Sequence, residues 1–370
     1  MSHAFIPAAK PMIGDEEVAA VERVLRSGML AQGAEVAAFE AEFSAHFLAG
    51  RTAVAVNSGT SGQLLGLIAA GVGPGDEVIV PSFTFAAVAN SVVLAGATPV
   101  FVDIEPAHFT LDPEQVRAAI TPRTKGIMPV HLYGHPFLVD GIEAVAAEHD
   151  LVIYEDAAQA HGAKWKGRPA GTIGAFGMFS LYPTKNMTAV EGGMVACADE
   201  DITRTVRLLR NQGMETMYAN EIVGYNNRMS EVHAAVGRVQ LRKVEEWTRQ
   251  RQRNAALLDA ELAGLAGLTV PPVADGAEHV YHQYTVRIAD GERDRVRDAL
   301  RDEHGVGAGV YYPIPNHRLP SLQRYAPDAD LPETERAARE VLSIPVHPSL
   351  TAADLDRVIS GLAAVLSAGS

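Results

Sequence analysis

Between Ile173 and Val190 the chain carries a single charged residue, Lys185, set among Phe176, Phe179, Tyr182, Met187 and Val190, with Pro183 two places before it. Taking an ammonium out of water disfavours its charged form. An amine in such company is pushed toward neutrality, where it becomes a nucleophile for an aldehyde or ketone. The plainer reading is a surface-loop lysine whose stem packs on the aromatics while its ammonium reaches water. Lysine usage tilts the balance. Of 31 basic residues only six are Lys, at 10, 125, 164, 166, 185 and 243, so lysine is not the default filler of this chain.

Asp156 is the second informative residue. It follows the apolar run Leu151-Val-Ile-Tyr154 within Glu155-Asp-Ala-Ala-Gln159-Ala-His161. A carboxylate just beyond a buried strand either caps a helix or, against a pyridine ring, pairs with the protonated ring nitrogen and keeps the ring an electron sink. A third feature is Ser58-Gly-Thr-Ser-Gly62, placed between the short apolar run Ala53-Val-Ala-Val-Asn57 and a helical stretch through Ala70. Amides and hydroxyls at such a helix start can hold a phosphate; the same small residues also serve close packing. Neither G-x-G-x-x-G after a strand nor the P-loop pattern occurs, so dinucleotide and P-loop readings have no support. The thirteen histidines suggest no ligand pair, and no metal site is expected.

The elements that must position these residues alternate along the first half. Helical stripes at 14–27 and Ala34–Phe47 lead into strand Ala53–Asn57 and helix Ser58–Ala70. Strands Glu77–Val80, Pro99–Asp103, Gly126–Val130 and Leu151–Tyr154 then alternate with helices Ala86–Ala95, Pro113–Ile120 and Gly141–His149. Strands this apolar, alternating with helices, imply a parallel sheet covered on both faces. Ligands of such sheets sit at the carboxyl ends of the strands. There lie Asn57 to Ser61, Ser82 to Phe85, His131, and the Asp156 segment.

Beyond Gly193 come strand Met194–Ala198, a helix near Asp201–Arg210, and one long helix from Ser230 to about Leu265 that would bridge two domains. The expected division is 1–250, a large domain, and 251–370, a smaller α/β domain with strand Gln283–Ile288 and helices Glu292–His304 and Ala353–Ala368.

At 370 residues the chain is long enough to bury roughly three quarters of its unfolded surface. It is 47% apolar and 21% charged; its one cysteine, Cys197, excludes an intrachain disulfide and reads as a buried strand thiol in a reducing cytoplasm. A net charge of −14 argues against general binding to nucleic acid or anionic membranes. The start, Met1 to Met12, lacks the charged-then-apolar order of a secretory signal. Val78 to Val102 holds 25 residues without charge, but Pro81, Asn90, Gly96 and Pro99 break it into strand, loop, buried helix and strand rather than a membrane span.

Taken together, Asn57-Ser-Gly-Thr-Ser61, Pro81-Ser-Phe-Thr-Phe85, Glu155-Asp-Ala-Ala-Gln159, Phe179-Ser-Leu-Tyr-Pro-Thr-Lys185, Glu191-Gly-Gly193 and Gly224-Tyr-Asn-Asn-Arg-Met-Ser230 resemble the DegT/DnrJ/EryC1/StrS family. Tyr311-Tyr-Pro-Ile-Pro-Asn-His317 and Val341-Leu-Ser-Ile-Pro-Val-His-Pro348 extend the resemblance over nearly the whole chain. The family consists of pyridoxal-phosphate (PLP) enzymes, mostly aminotransferases of nucleotide-linked keto-sugars. The resemblance implies a fold-type-I architecture like that of aspartate aminotransferase, working as a homodimer with shared active sites. By motif, Lys185 would carry PLP as a Schiff base and Asp156 would face the pyridine nitrogen. Phe85 would stack on the ring and Gln159 would reach its phenolic oxygen. Gly59, Thr60, Ser61 and Ser180 would hold the phosphate. Asn226 and Arg228 would approach from the partner subunit, and Tyr311 and His317 would lie near the sugar.

Gly62 stands where the family usually has alanine, Asn227 where tyrosine is usual, and Asn316 where Pro-Leu-His is common; the latter two bear on substrate identity. Members with histidine in place of the lysine are sugar dehydratases, and Lys185 speaks against that activity. Glu191-Gly-Gly looks more like members that aminate C4 of the sugar than those with Asp-Gly-Gly that act at C3. The expected function is a PLP-dependent transfer of the amino group of L-glutamate or glutamine to such a keto-sugar, in amino-sugar or antibiotic biosynthesis. A keto-cyclitol aminotransferase and, from another class, a non-enzymatic regulator with this fold are the alternatives.

Overall fold

The computed structural model describes residues 4–289 and 291–368; Met1 to His3 of the opening segment lie outside them. Helices α1 (Asp15–Ser27) and α2 (Ala34–Phe47) precede strand β1 (Thr52–Val56) and helix α3 (Gly59–Ala69). Then come β2 (Glu77–Pro81), α4 (Ala87–Leu94), β3 (Thr98–Val102), α5 (Pro113–Ala118), β4 (Thr124–Ile127), α6 (Val139–Glu148) and β5 (Val152–Asp156). Strands β6 (Phe176–Ser180) and β7 (Gly193–Cys197) complete a seven-stranded sheet in the order β1-β7-β6-β5-β4-β2-β3. Neighbours from β3 through β6 pair in parallel, while β7 runs antiparallel to both β1 and β6.

Side-chain alternation along a strand sorts these residues into two cores. On β1, Val54 and Val56 join the core beneath α3, while Ala53 and Ala55 join the core beneath α2. On β7 the same division sends Val195 and Cys197 one way and Met194 and Ala196 the other. The sheet is therefore covered on both faces, as its unbroken apolar strands require. Cys197 is buried, and its thiol is pushed up to about 12 by that burial, so it is a packing group.

Two elements differ from the sequence reading. Strand β6, inside the lysine stretch, was not anticipated, because Gly177 breaks its apolar pattern. The pairing explains the glycine: a Cβ there would meet the Gly171 Cα at 2.3 Å, so only glycine lets β6 pass that turn. The single helix expected from Ser230 to about Leu265 is two, α7 lying earlier (Glu200–Arg210), then α8 (Glu231–Leu241) and α9 (Val244–Leu262), with a break at Arg242 and Lys243. α8 packs against α2 through Ala234 and Leu241, α9 joins the same core at Val244, and its later residues Ala255, Leu258 and Leu262 belong to a separate core.

That separate core surrounds a three-stranded antiparallel sheet of β8 (Leu268–Thr269), β9 (Tyr284–Ile288) and β10 (Val341–Ile344), in the order β8-β9-β10. It runs from Ala255 to Val365 and takes in Ile6 from the other end of the chain. We propose the division 1–250 and 251–370 on this basis, with the N-terminal segment packed on the smaller unit. The charge-free stretch 78–102 folds as β2, α4 and β3. Among the described residues no helix is long and apolar enough to cross a membrane.

One buried carboxylate fixes the loop that leads into β6. Glu155, fully buried, accepts hydrogen bonds from the amides of Gly171 at 2.7 Å, Ile173 at 2.5 Å and Gly174 at 2.8 Å, and faces His131 Nε2 at 2.9 Å. Removing it strands those donors in the interior. Glu155→Ala is expected to lower the unfolding free energy by about 3–5 kcal/mol, read from denaturant midpoints; a change within the range of surface substitutions would contradict this role.

Candidate active site

The carboxyl ends of β1, β2, β5 and β6 meet around a cleft of about 480 Å³. Ser58, Thr84, Asp156 and Ser180 line it from those strand ends, and Lys185 lines it from the turn between β6 and β7. The lysine backbone is held there by a hydrogen bond from the Lys185 N–H to the Tyr182 carbonyl at 3.0 Å, closing the turn that Pro183 begins. Burial pushes the Lys185 ammonium down to about 8, and the negative charge of Asp156 opposes the shift. Lys185 is half-buried and borders the cleft rather than the outer surface.

Asp156 ends β5, yet no helix follows it, so it is not a helix cap. Its Oδ1 accepts the Ala158 amide at 2.9 Å, a local turn, and its Oδ2 accepts Gln63 Nε2 at 2.6 Å. Burial pushes this carboxyl up; the Ala158 bond, the Lys185 charge and the Gln63 bond oppose it. An acid and an amine therefore share one desolvated space, each supporting the charged form of the other.

Helix α3 begins at the cleft. Ser58 caps it, taking the Ser61 amide on its hydroxyl at 3.1 Å and the Gly62 amide on its carbonyl at 3.1 Å. The amides of Gly59 and Thr60 have no acceptor within the helix and border the cleft with Ser180. Such a helix start suits an anion. Close approach is enforced by glycine: a Cβ on Gly193 would lie 2.6 Å from the Ser58 carbonyl oxygen, and one on Gly59 would lie 3.1 Å from Ser180 Cβ. Phe85 stands 59% exposed at the cleft, an aromatic face left open rather than packed. Gln159 accepts the Tyr133 amide at 2.6 Å and donates to the Tyr312 hydroxyl at 3.1 Å, keeping one amide hydrogen to offer. Tyr311 borders the cleft as expected.

Other expected residues lie outside the cleft. His317 departs from the expectation: it is buried, with Nδ1 2.7 Å from Ser82 Oγ and Nε2 3.3 Å from Glu335. Those bonds tie its segment to the end of β2 and to the helix Pro332–Glu340, so its ring is committed to the fold. Ser61 turns its hydroxyl to Ser58 Oγ at 2.9 Å. Asn226 is exposed, and Arg228 donates to Asn211 Oδ1 at 2.7 Å; neither side chain lines the cleft.

Sequence reasoning missed Gln63, Tyr133, His282, Gln283 and Tyr312, all on the cleft wall. His282 and Gln283 immediately precede β9, and nothing local marks them. His282 is held well below the ordinary range by burial, with the Lys185 charge adding to the effect. His131 and His135 do stand four apart, a spacing passed over in the sequence, but they sit on no shared helix. His131 bonds Glu155, and His135 Nδ1 lies 2.6 Å from the Pro136 carbonyl. Among the described residues no cluster of three or more His, Cys, Asp or Glu is placed to hold a metal.

The depressed Lys185 gives a direct test. With a midpoint near 8, about half of its amines are neutral at pH 8 and roughly a tenth at pH 7, far above an ordinary lysine near 10.4. Reductive labelling of the ligand-free protein with a simple aldehyde is expected to mark Lys185 first, with a rate that halves near pH 8. A rate still climbing through pH 10 at that residue would refute the depressed value.

Residues 11–363 match the model of the DegT/DnrJ/EryC1/StrS aminotransferase family. The chain is 40% identical to the pleiotropic regulatory protein of Geobacillus stearothermophilus, over 93% of this chain and 92% of that one. It is 42% identical to the dTDP-3-amino-3,4,6-trideoxy-alpha-D-glucose transaminase of Streptomyces venezuelae, covering 96% and 94%. The crystal structure of S. venezuelae DesV superposes with a TM-score of 0.91 at 43% identity, covering 95% of this chain and 94% of that chain. The fold is that of PLP-dependent aminotransferases, and the residues of the cleft fit that cofactor: a desolvated amine, a buried carboxylate, an open aromatic face and a helix start free for phosphate. On these grounds the chain belongs to the DegT/DnrJ/EryC1/StrS family of PLP-dependent sugar aminotransferases.

Proposed function

We propose that this protein moves an amino group from L-glutamate, or glutamine, to a nucleotide-linked keto-sugar. The observation that carries the reading is the pairing of Lys185, depressed to about 8, with buried Asp156 in one cleft. When bound, PLP supplies an aldehyde carbon for Schiff-base formation and a ring that accepts electron density as the donor's α C–H bond breaks. The chain supplies the rest. Lys185 Nζ, neutral in part at physiological pH, would hold the cofactor and would carry the proton from the donor's α-carbon. Asp156 would hold a proton at the ring nitrogen. Phe85 would offer its face to the ring, and Gly59, Thr60 and Ser180 would offer amides and hydroxyl to the phosphate.

Asn226 and Arg228 enter this reading through a homodimer in which the partner's loop completes the site; the exposure of Asn226 and the bond of Arg228 to Asn211 rather than to a cleft residue support that arrangement. Ser61 is assigned, with Gly59, Thr60 and Ser180, to the phosphate of its own chain's site, beside the Ser58 hydroxyl. Glu191 at the cleft edge favours amination at C4. A C3 assignment is a second reading, favoured by the 3-amino product in the name of the S. venezuelae relative. A keto-cyclitol acceptor and a regulatory role without chemistry are the further alternatives; the intact, lysine-bearing cleft argues against the last. A cytoplasmic location and a place in deoxyamino-sugar biosynthesis complete the proposal.

Lys185→Ala is expected to abolish formation of 2-oxoglutarate from L-glutamate in the PLP-supplied protein while the melting temperature stays within a few degrees of wild type. The same assay with dTDP- and UDP-linked 3-keto and 4-keto hexoses, read by product NMR, assigns the carbon. Turnover with a free inosose and none with a nucleotide-sugar would reverse the choice of substrate, and turnover that persists in Lys185→Ala would remove the mechanism.

A further inference from the structure

Beyond its first turn, α3 carries one polar side chain, Gln63, and that residue is fully buried. Its neighbours Leu65 and Leu67 fill the core beneath the sheet, where leucine or methionine would pack without a polar cost. A buried amide is costly unless hydrogen-bonded. Gln63 makes one such bond, from Nε2 to Asp156 Oδ2 at 2.6 Å, and its Oε1 is buried without a partner. The amide therefore gives up half its hydrogen-bonding capacity to serve a carboxylate 93 residues away. With Ala158 on Oδ1, both oxygens of Asp156 already hold a donor, which sets the plane of the carboxylate.

We infer that Gln63 is a positioning residue that keeps Asp156 ionised and aimed at the cofactor's ring nitrogen, an inference resting on the role given to Asp156 above. One helix then serves both ends of the cofactor. Its N-terminal amides face the phosphate, and one turn later Gln63 holds the carboxylate. Burial drives Asp156 toward its neutral form, and the Gln63 N–H is one of the groups that oppose this. A hydrogen bond to a charged group is roughly twice as strong as one between neutral partners, so its loss should be visible in the titration of the site.

The test uses the PLP-loaded protein without substrates and follows the pH midpoint of its visible absorption band in wild type, Gln63→Met, Gln63→Glu and Asp156→Asn. Methionine keeps the length and removes the donor. With Asp156 less able to hold a proton on the ring, the ring draws less charge from the Lys185 nitrogen joined to it, and that nitrogen keeps its proton to higher pH. The expected result is an upward shift of about half a unit or more in Gln63→Met. Gln63→Glu sets two carboxyls against each other, which must share a proton, and should shift the midpoint at least as far; it carries the test if the methionine variant does not fold. An unmoved midpoint in folded Gln63→Met or Gln63→Glu, with Asp156→Asn shifted, overturns the role of Gln63 and leaves that of Asp156. An unmoved midpoint in Asp156→Asn removes both.

Discussion

Lys185 and Asp156 lie in a cleft where burial drives the lysine toward its neutral amine and the aspartate toward its neutral acid, and each opposes the shift imposed on the other. A single buried charge in that place would neutralise; two opposite charges can stay poised. The surroundings are built to hold this balance. Asp156 is fixed by the end of β5, by the Ala158 amide and by Gln63. Lys185 is fixed by the turn closed onto the Tyr182 carbonyl, between β6 and β7.

The sheet order brings these parts together. β5 and β6 are direct neighbours, so the carboxylate and the turn that bears the lysine leave the same edge of the sheet. β1 lies beyond the antiparallel β7, and α3 leaves its end pointing amides into the same cleft. Antiparallel β7 returns the chain from the lysine turn and closes the sheet against β1. Glu155, one residue before Asp156, faces the other way and pins the loop ahead of β6. Adjacent acids on one strand thus do opposite work, because alternate strand positions point to opposite faces.

Residues late in the chain supply further walls. His282 and Gln283 come from the approach to β9, and Tyr311 and Tyr312 from the segment before β10. Tyr133 joins them through its hydroxyl, which donates to the Tyr311 carbonyl. His317 reinforces this seam from within through Ser82 and Glu335. A residue that a motif places near substrate can therefore act as a fastener.

The sequence by itself determined the alternation of apolar strands and helices, the isolation of Lys185 in uncharged company, the carboxylate after a buried strand and the small residues at a helix start. These are local properties, set by side-chain type and spacing, and they carried both the sheet and the heart of the site. Strand β6 was hidden because its pattern is interrupted by a glycine whose reason, contact with Gly171, lies across a turn. The break between α8 and α9 was hidden because Leu241 and Val244, on either side of it, keep helical spacing and pack in one core. Tertiary structure alone decided that Gln63 reaches Asp156, that Glu155 serves a loop rather than the cleft, and that His317 is spent on packing. Each of these is a hydrogen bond between residues far apart in the chain, and such pairings follow from the path of the backbone, which no local spacing encodes.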